Sequence, residues 1–233
     1  FNPPPWELDG GARMKTRHDR YKPFLDEIMA ASSPRHASEV ITDAVHCMVQ
    51  AMWQALCFGE NRTKAAKDYA DTRARFDEAE WEHVVKAFCH LCDALTVKRE
   101  EFLGHVMEEF GATNQHNGQF FTPVDMSSLM GDIMAEEPRD EVIRLHDPCC
   151  GAGVLLIQGA EALLDKGWKQ RNLCIVATDI DHRACDMCYV QLSLLGYAAV
   201  VQQVDALALK PFDTARYTPG WFLHGFPMRG IRA

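Results

Sequence analysis

Long apolar runs are missing from this chain of 233 residues. No stretch approaches the roughly 18 residues that a membrane-crossing helix needs, and no charged-then-apolar leader opens the sequence. These absences give no support to export or a helical membrane anchor, and a cytoplasmic location is the expectation. Positive charge is also scarce: 24 Lys and Arg face 33 Asp and Glu, a formal net charge of -9. A grip on nucleic acid needs basic side chains clustered on a surface. The only compact basic run is Lys15, Arg17, Arg20 and Lys22, which reads as a solvated arm. No cystine framework is present either. Nine cysteines is an odd number in a chain of this length, and reduced thiols are the simpler reading. Cys89 with Cys92 and Cys185 with Cys188 have zinc-like spacing, but both pairs fall inside helical periodicity, where cysteine packs as a small apolar residue. No metal site is expected from them, and no His-x3-His pair or nucleophile arrangement occurs.

What is present divides into three parts. Residues 1–13, rich in Pro and Gly, read as a tail that is not native, with Met14 as the expected start. Residues 14–112 read as a helical domain. Ser33-Pro34 offers an N-cap and a first-turn proline, and Ile41, Val45, Met48, Met52 and Leu56 then form one stripe. Gly59-Glu60-Asn61 breaks that stripe, and a polar stretch follows. Asp77 with Glu80 makes a capping box opening a helix whose inner face reads Trp81, Val85, Phe88, Cys92 and Leu95. Phe102, Val106 and Phe110 mark a shorter helix that ends at Gly111.

Residues 113–233 follow a different pattern. Thr122-Pro123 can start a helix with Met126, Leu129 and Ile133 on its apolar face. Val142 to Leu145 reads as a strand running into Asp147. Gly151 to Gly153 leads to a helix through Leu155, Leu156, Ala160 and Leu163. Leu173 to Thr178 is a strand stopping at Asp179, Ala184 to Leu195 a helix, and Ala199 to Val204 a strand stopping at Asp205. A further strand is expected over Trp221 to Phe226. Alternation of this kind argues for parallel strands with helical crossovers, whose ligands bind at the carboxyl ends of the strands. Those ends carry three acids, Asp147, Asp179 and Asp205.

A glycine turn after the first strand lets a ligand approach the backbone closely. Gly151-Ala152-Gly153-Val154-Leu155-Leu156 lacks the third glycine of a dinucleotide fingerprint, which disfavours NAD or FAD. Gly118-Gln119-Phe120-Phe121-Thr122-Pro123 and Asp147-Pro148-Cys149-Cys150-Gly151-Ala152-Gly153 together resemble the cofactor-binding half of an N6-adenine DNA methyltransferase. The likeness is to the modification subunit of type I restriction systems. It implies a Rossmann-like methyltransferase sheet and S-adenosylmethionine as cofactor. Asp147, Pro148, Cys150, Gly151 and Gly153 match the loop that wraps the cofactor's amino-acid end, with Cys149 at the variable place. Asp179, with Ile180 beside it, matches the acid that accepts from the ribose hydroxyls. Asp205, with Ala206 beside it, matches the acid that contacts the adenine amino group. Phe121 and Thr122 match the motif that closes over the methionine part.

The resemblance fails beyond residue 210. The family's catalytic signature, Asn-Pro-Pro followed by an aromatic residue, does not follow Asp205; Lys210-Pro211-Phe212 and Thr218-Pro219-Gly220-Trp221 stand there instead. Phe1-Asn2-Pro3-Pro4-Pro5-Trp6 looks like that signature at the other end. Pro5 holds the aromatic place and no strand precedes Asn2, so no catalytic residue is assigned. The expected sheet is incomplete after its third or fourth strand. Its open edge has three readings: a truncated chain, cover by the N-terminal helices, or completion by a partner. DNA is the implied substrate, held through a partner or a missing segment. A restriction-modification subunit and a second copy of the chain are the candidate partners. An inert pseudo-subunit or decoy that docks on such a complex is the rival reading.

Overall fold

The computed structural model describes residues 17–32, 35–110, 141–208, 210–212 and 215–227. Helices come first: α1 (Arg17–Ala30), α2 (Ala37–Leu56), α3 (Gly59–Arg73), α4 (Glu78–Val97) and α5 (Leu103–Glu109). Then come β1 (Ile143–Asp147), α6 (Val154–Asp165), β2 (Leu173–Asp179), α7 (His182–Leu194) and β3 (Ala198–Asp205). The short strands β4 (Lys210–Pro211) and β5 (Arg216–Tyr217) and the helix α8 (Pro219–Leu223) follow. The architecture is mixed α/β, a mostly parallel sheet preceded by helices, as the sequence predicts. The tail over residues 1–13, the boundary at 112/113 and the helix carrying Met126, Leu129 and Ile133 lie outside the described residues.

The helices form where sequence chemistry puts them. Asp77 Oδ1 accepts from Glu80 N at 2.8 Å, and Glu80 Oε2 accepts from Asp77 N at 2.8 Å, closing the capping box that starts α4. On α2, Ile41, Val45 and Met48 are buried as expected. On α4 the buried line is Val84, Ala87, Leu91 and Leu95, whereas Val85, expected inside, is 46% exposed. The cause is α1, which packs along α4 and selects the stripe that turns inward. The basic run is no solvated arm within the described residues: Arg20 and Lys22 lie in α1, which buries Tyr21, Phe24, Leu25 and Ile28. Arg20 ion-pairs with the buried Glu100. The polar stretch after Gly59 is also helical, lying on α2 through the buried Ala65.

Within the sheet, β1, β2 and β3 are parallel neighbours in that order, and β4 and β5 run antiparallel along the far edge of β3. Among the described residues β1 ends the sheet. Leu173, Ile175 and Ala177 of β2 face a core shared with α6, α7 and the N-terminal helices. Cys174 and Val176, pointing the other way, meet Trp221. The strand expected over Trp221 to Phe226 is instead the helix α8, because Pro219 opens a helical first turn there.

A buried ionic cluster locks α2 onto α7. Asp186 Oδ2 lies 2.7 Å from His46 Nδ1, and Asp186 Oδ1 accepts from Arg216 Nη1 at 2.5 Å. Burial would raise the Asp186 carboxyl, but the bond from His46 and the charge of Arg216 outweigh it and hold the group below its ordinary value of 3.8. Removing one member of such a cluster strands the others in low dielectric, so Asp186→Ala should cost about 3–5 kcal/mol in urea unfolding. The sign of the pH dependence follows from the lowered value. The stabilisation is present above the unfolded aspartate pKa and lost as pH falls through the folded one, so wild type and Asp186→Ala should converge in acid. A gap that stayed constant down to acid unfolding would refute this.

Candidate cofactor site at the carboxyl end of the sheet

Three carboxylates are placed by register. Asp147 pairs with Ala177, which pairs with Val201, and Asp179 pairs with Gln203. Each successive acid therefore sits two residues further along its strand. Because side chains alternate, Asp147, Asp179 and Asp205 share one face of the sheet, offset by about 6–7 Å per strand along the chain direction. This is the side of the α6 and α7 crossovers.

The turn from β1 to α6 is fastened to the end of β2. Cys150 N donates to Thr178 O at 2.9 Å, and Gly151 N donates to Asp179 Oδ2 at 2.8 Å. Asp147 Oδ1 takes Cys149 N at 2.9 Å, which folds the start of the turn back on β1. Glycine is required within it. Gly151 has φ 53° and Gly153 φ 99°, and a Cβ on Gly153 would lie 3.0 Å from Cys188 Sγ. Pro148 and Cys149 are exposed, whereas Cys150 is buried against the Cys185 and Cys188 thiols. The Cys150 contact and burial push the Cys185 thiol well above its usual range, so at neutral pH it acts as packing and not as a nucleophile.

Each acid is aimed by backbone donors. Asp179 Oδ1 accepts from Asp181 N at 2.9 Å, and Asp205 Oδ1 accepts from Leu207 N at 3.0 Å and Ala208 N at 2.9 Å. Gln203 Nε2 donates to Ile180 O at 2.8 Å, tying the loop after β2 to β3. Ile180 is 59% exposed and Leu207 99% exposed, an apolar rim beside the acids. Ala206 lies between Asp205 and Leu207, half-buried. Burial and then the neighbouring Asp179 charge raise the Asp147 carboxyl, with the Cys149 N–H opposing them. Among the described residues no Lys or Arg ion-pairs with Asp147, Asp179 or Asp205. Phe121 and Thr122 lie outside the described residues.

Sequence reasoning missed two residues that hold the turn. Gln191 of α7 is fully buried; its Nε2 donates to Ala152 O at 2.9 Å and to Glu101 Oε1 at 3.1 Å. Its Oε1 accepts from Phe102 N at 2.6 Å and Leu103 N at 3.0 Å. Glu101, buried beside it, accepts from Gly104 N at the start of α5. Burial raises the Glu101 carboxyl, and the neighbouring His105 together with bonds from Gly104 and Gln191 opposes that. The available signal was a lone polar residue inside the apolar run Tyr189-Val190-Gln191-Leu192.

Two substitutions test this construction. Gln191→Leu keeps the volume but orphans the Ala152 carbonyl and two α5 N–H groups, and should cost about 2–4 kcal/mol by chemical unfolding. Gly153→Ala forces a side chain into the left-handed region against Cys188 and should cost about 1–3 kcal/mol. Unchanged denaturation midpoints would contradict these assignments.

The residues present fit S-adenosylmethionine on one ground. Its sulfonium and ammonium are cationic, and among the described residues no Lys or Arg ion-pairs with Asp147, Asp179 or Asp205 to neutralise them. No curated protein matches the chain. A solved structure described as a class I S-adenosylmethionine-dependent methyltransferase from Listeria monocytogenes is similar over 89% of this chain and 69% of its own, at 13% identity and a TM-score of 0.45. Residues 99–213 match the model of the N-6 DNA methylase family. Starting at Arg99, ahead of α5, and running through the carboxyl ends of all three parallel strands, this part of the chain is similar to the N-6 DNA methylase family, whose cofactor is S-adenosylmethionine.

Proposed function

We propose that this face of the sheet binds S-adenosylmethionine for methyl transfer to adenine N6 in DNA. The observation that carries the reading is the set of three same-face carboxylates, without a Lys or Arg ion-pair partner among the described residues, arranged around a positive-φ glycine turn. When bound, the cofactor supplies an electrophilic methyl group. Gly151 and Gly153 let the amino-acid end come within contact of the backbone. Asp147, raised by burial and by Asp179, gains most from a nearby positive charge. Asp179 keeps lone pairs free for ribose hydroxyls beyond its two backbone donors, and Asp205 with Ala206 faces the adenine end. Ile180 supplies an apolar surface for the base. Phe121 and Thr122 are proposed to cover the methionine part, as the family resemblance implies.

A second reading is favoured by two specific observations: the Asn-Pro-Pro-aromatic signature does not follow Asp205, and β1 ends the sheet among the described residues. In that reading the chain is an inert pseudo-subunit that docks on a restriction-modification complex. Calorimetric titration with S-adenosylhomocysteine addresses the first. Wild type should bind, and Asp179→Ala should bind at least tenfold more weakly, the loss expected for hydrogen bonds to a charged acceptor. Equal heats from both proteins, or none from wild type, would remove the basis for cofactor binding. Methyl transfer by the chain alone to unmethylated DNA would end the inert reading.

A further inference from the structure

We propose that a cavity between α2, the α3–α4 turn and α7 binds one phosphate group. The cavity measures about 270 Å³ and is lined by Arg35, Arg75 and Arg183 together with Ser38, Glu39, Thr42, Asp43 and Met107. The three arginines come from widely separated parts of the sequence: the second residue before α2, the turn after α3, and the first turn of α7. Guanidinium groups repel one another, and in a chain of net charge -9 their convergence on one hollow is not a by-product of composition.

The cluster is held in place from below. Asp43, itself buried, takes Arg35 Nη2 on one carboxylate oxygen and Arg75 Nη1 on the other, the latter at 2.9 Å. Arg35 also lies over the Phe76 ring, 5.0 Å from its centre. Arg183 is fixed by Asp181 through Nε at 3.2 Å and Nη2 at 2.8 Å. These bonds use only part of the five donors each guanidinium carries. Among the described residues Arg35 Nη1 is buried and finds no acceptor. The lining adds the Ser38 hydroxyl in the first turn of α2, where helix N–H groups favour an anion, while the Thr42 hydroxyl is spent on Ser38 O at 2.8 Å. Glu39 and Asp43 are the opposing charges in the same lining, and their presence sets a modest affinity.

Arg183 belongs to the first turn of α7, directly after the Asp179 loop, so the cavity borders the carboxyl end of the sheet. A phosphate of the DNA backbone would reach it there, and this source rests on the proposed methyltransferase function. Free phosphate is the other source of the same chemistry and does not. The arrangement gives an acidic chain an anchor of its own for a polyanion, which the sequence assigns to a partner or a missing segment.

The test uses the full chain without cofactor. Binding of a fluorescein-labelled DNA duplex is followed by anisotropy over a range of salt, and inorganic phosphate is titrated by calorimetry. Arg75→Gln, at an exposed position, should weaken duplex binding about tenfold and lower the salt slope by about one, the signature of one lost phosphate contact. Glu39→Gln should tighten binding. Arg35→Gln should act like Arg75→Gln; if it fails to fold, Arg75→Gln still decides. Phosphate heats lost in Arg75→Gln, with no duplex binding by wild type, would assign free phosphate as the ligand. Unchanged affinity and slope in Arg75→Gln, or wild type binding neither probe, would overturn the proposal. Neither result depends on S-adenosylhomocysteine, so failure here and failure of the cofactor reading are distinguishable.

Discussion

The bond from Gly151 N to the Asp179 carboxylate is the constraint on which the site depends. It joins the turn after the first parallel strand to the end of the second. With the Cys150 to Thr178 backbone bond beside it, it fixes where the glycine backbone lies relative to all three acids. A turn rich in glycine is otherwise free to adopt many conformations, and its ordering carries an entropic cost. Two backbone bonds to a rigid buried strand offset that cost before any ligand arrives. The same carboxylate that orders the loop is the one proposed to meet the ribose.

The helices in front of the sheet take part in that ordering. Gln191 bonds the glycine turn and the first turn of α5 at once, and Asp186 on the same helix bonds α2 and β5. α7 therefore connects N-terminal helices, glycine turn and far sheet edge through buried polar contacts. Apolar packing makes this region compact, while the polar contacts determine which arrangement it adopts. A change in how the N-terminal helices sit would be felt at the turn through Gln191 rather than through any ligand contact.

Much of this was legible in the sequence, and the failures have physical causes. The strand ending in Asp179 could be read because a buried parallel strand is a continuous apolar run with an abrupt polar stop, and those ending in Asp147 and Asp205 by their place in the alternation of strand and helix. Asp77 could be read as a cap because capping is local chemistry. Val85 was turned the wrong way because the inward stripe of α4 is chosen by α1, a neighbour distant in sequence. Arg20 looked solvated because its partner, the buried Glu100, is 80 positions away. Trp221 read as strand because an aromatic run has no period of its own, and the proline two residues earlier decided the matter. Gln191 and Glu101 carried no motif, since their partners are backbone groups that any sequence would supply.

The parallel register has an evolutionary consequence. Every acid owes its direction to an even count of residues from its neighbour strand. A single insertion or deletion inside β1, β2 or β3 would send the carboxylate beyond it to the opposite surface while leaving the strand able to pair. Changes of length in this lineage should therefore collect in the connections, and a relative with one residue more or less inside a strand should have lost the ligand even if it keeps every recognisable motif.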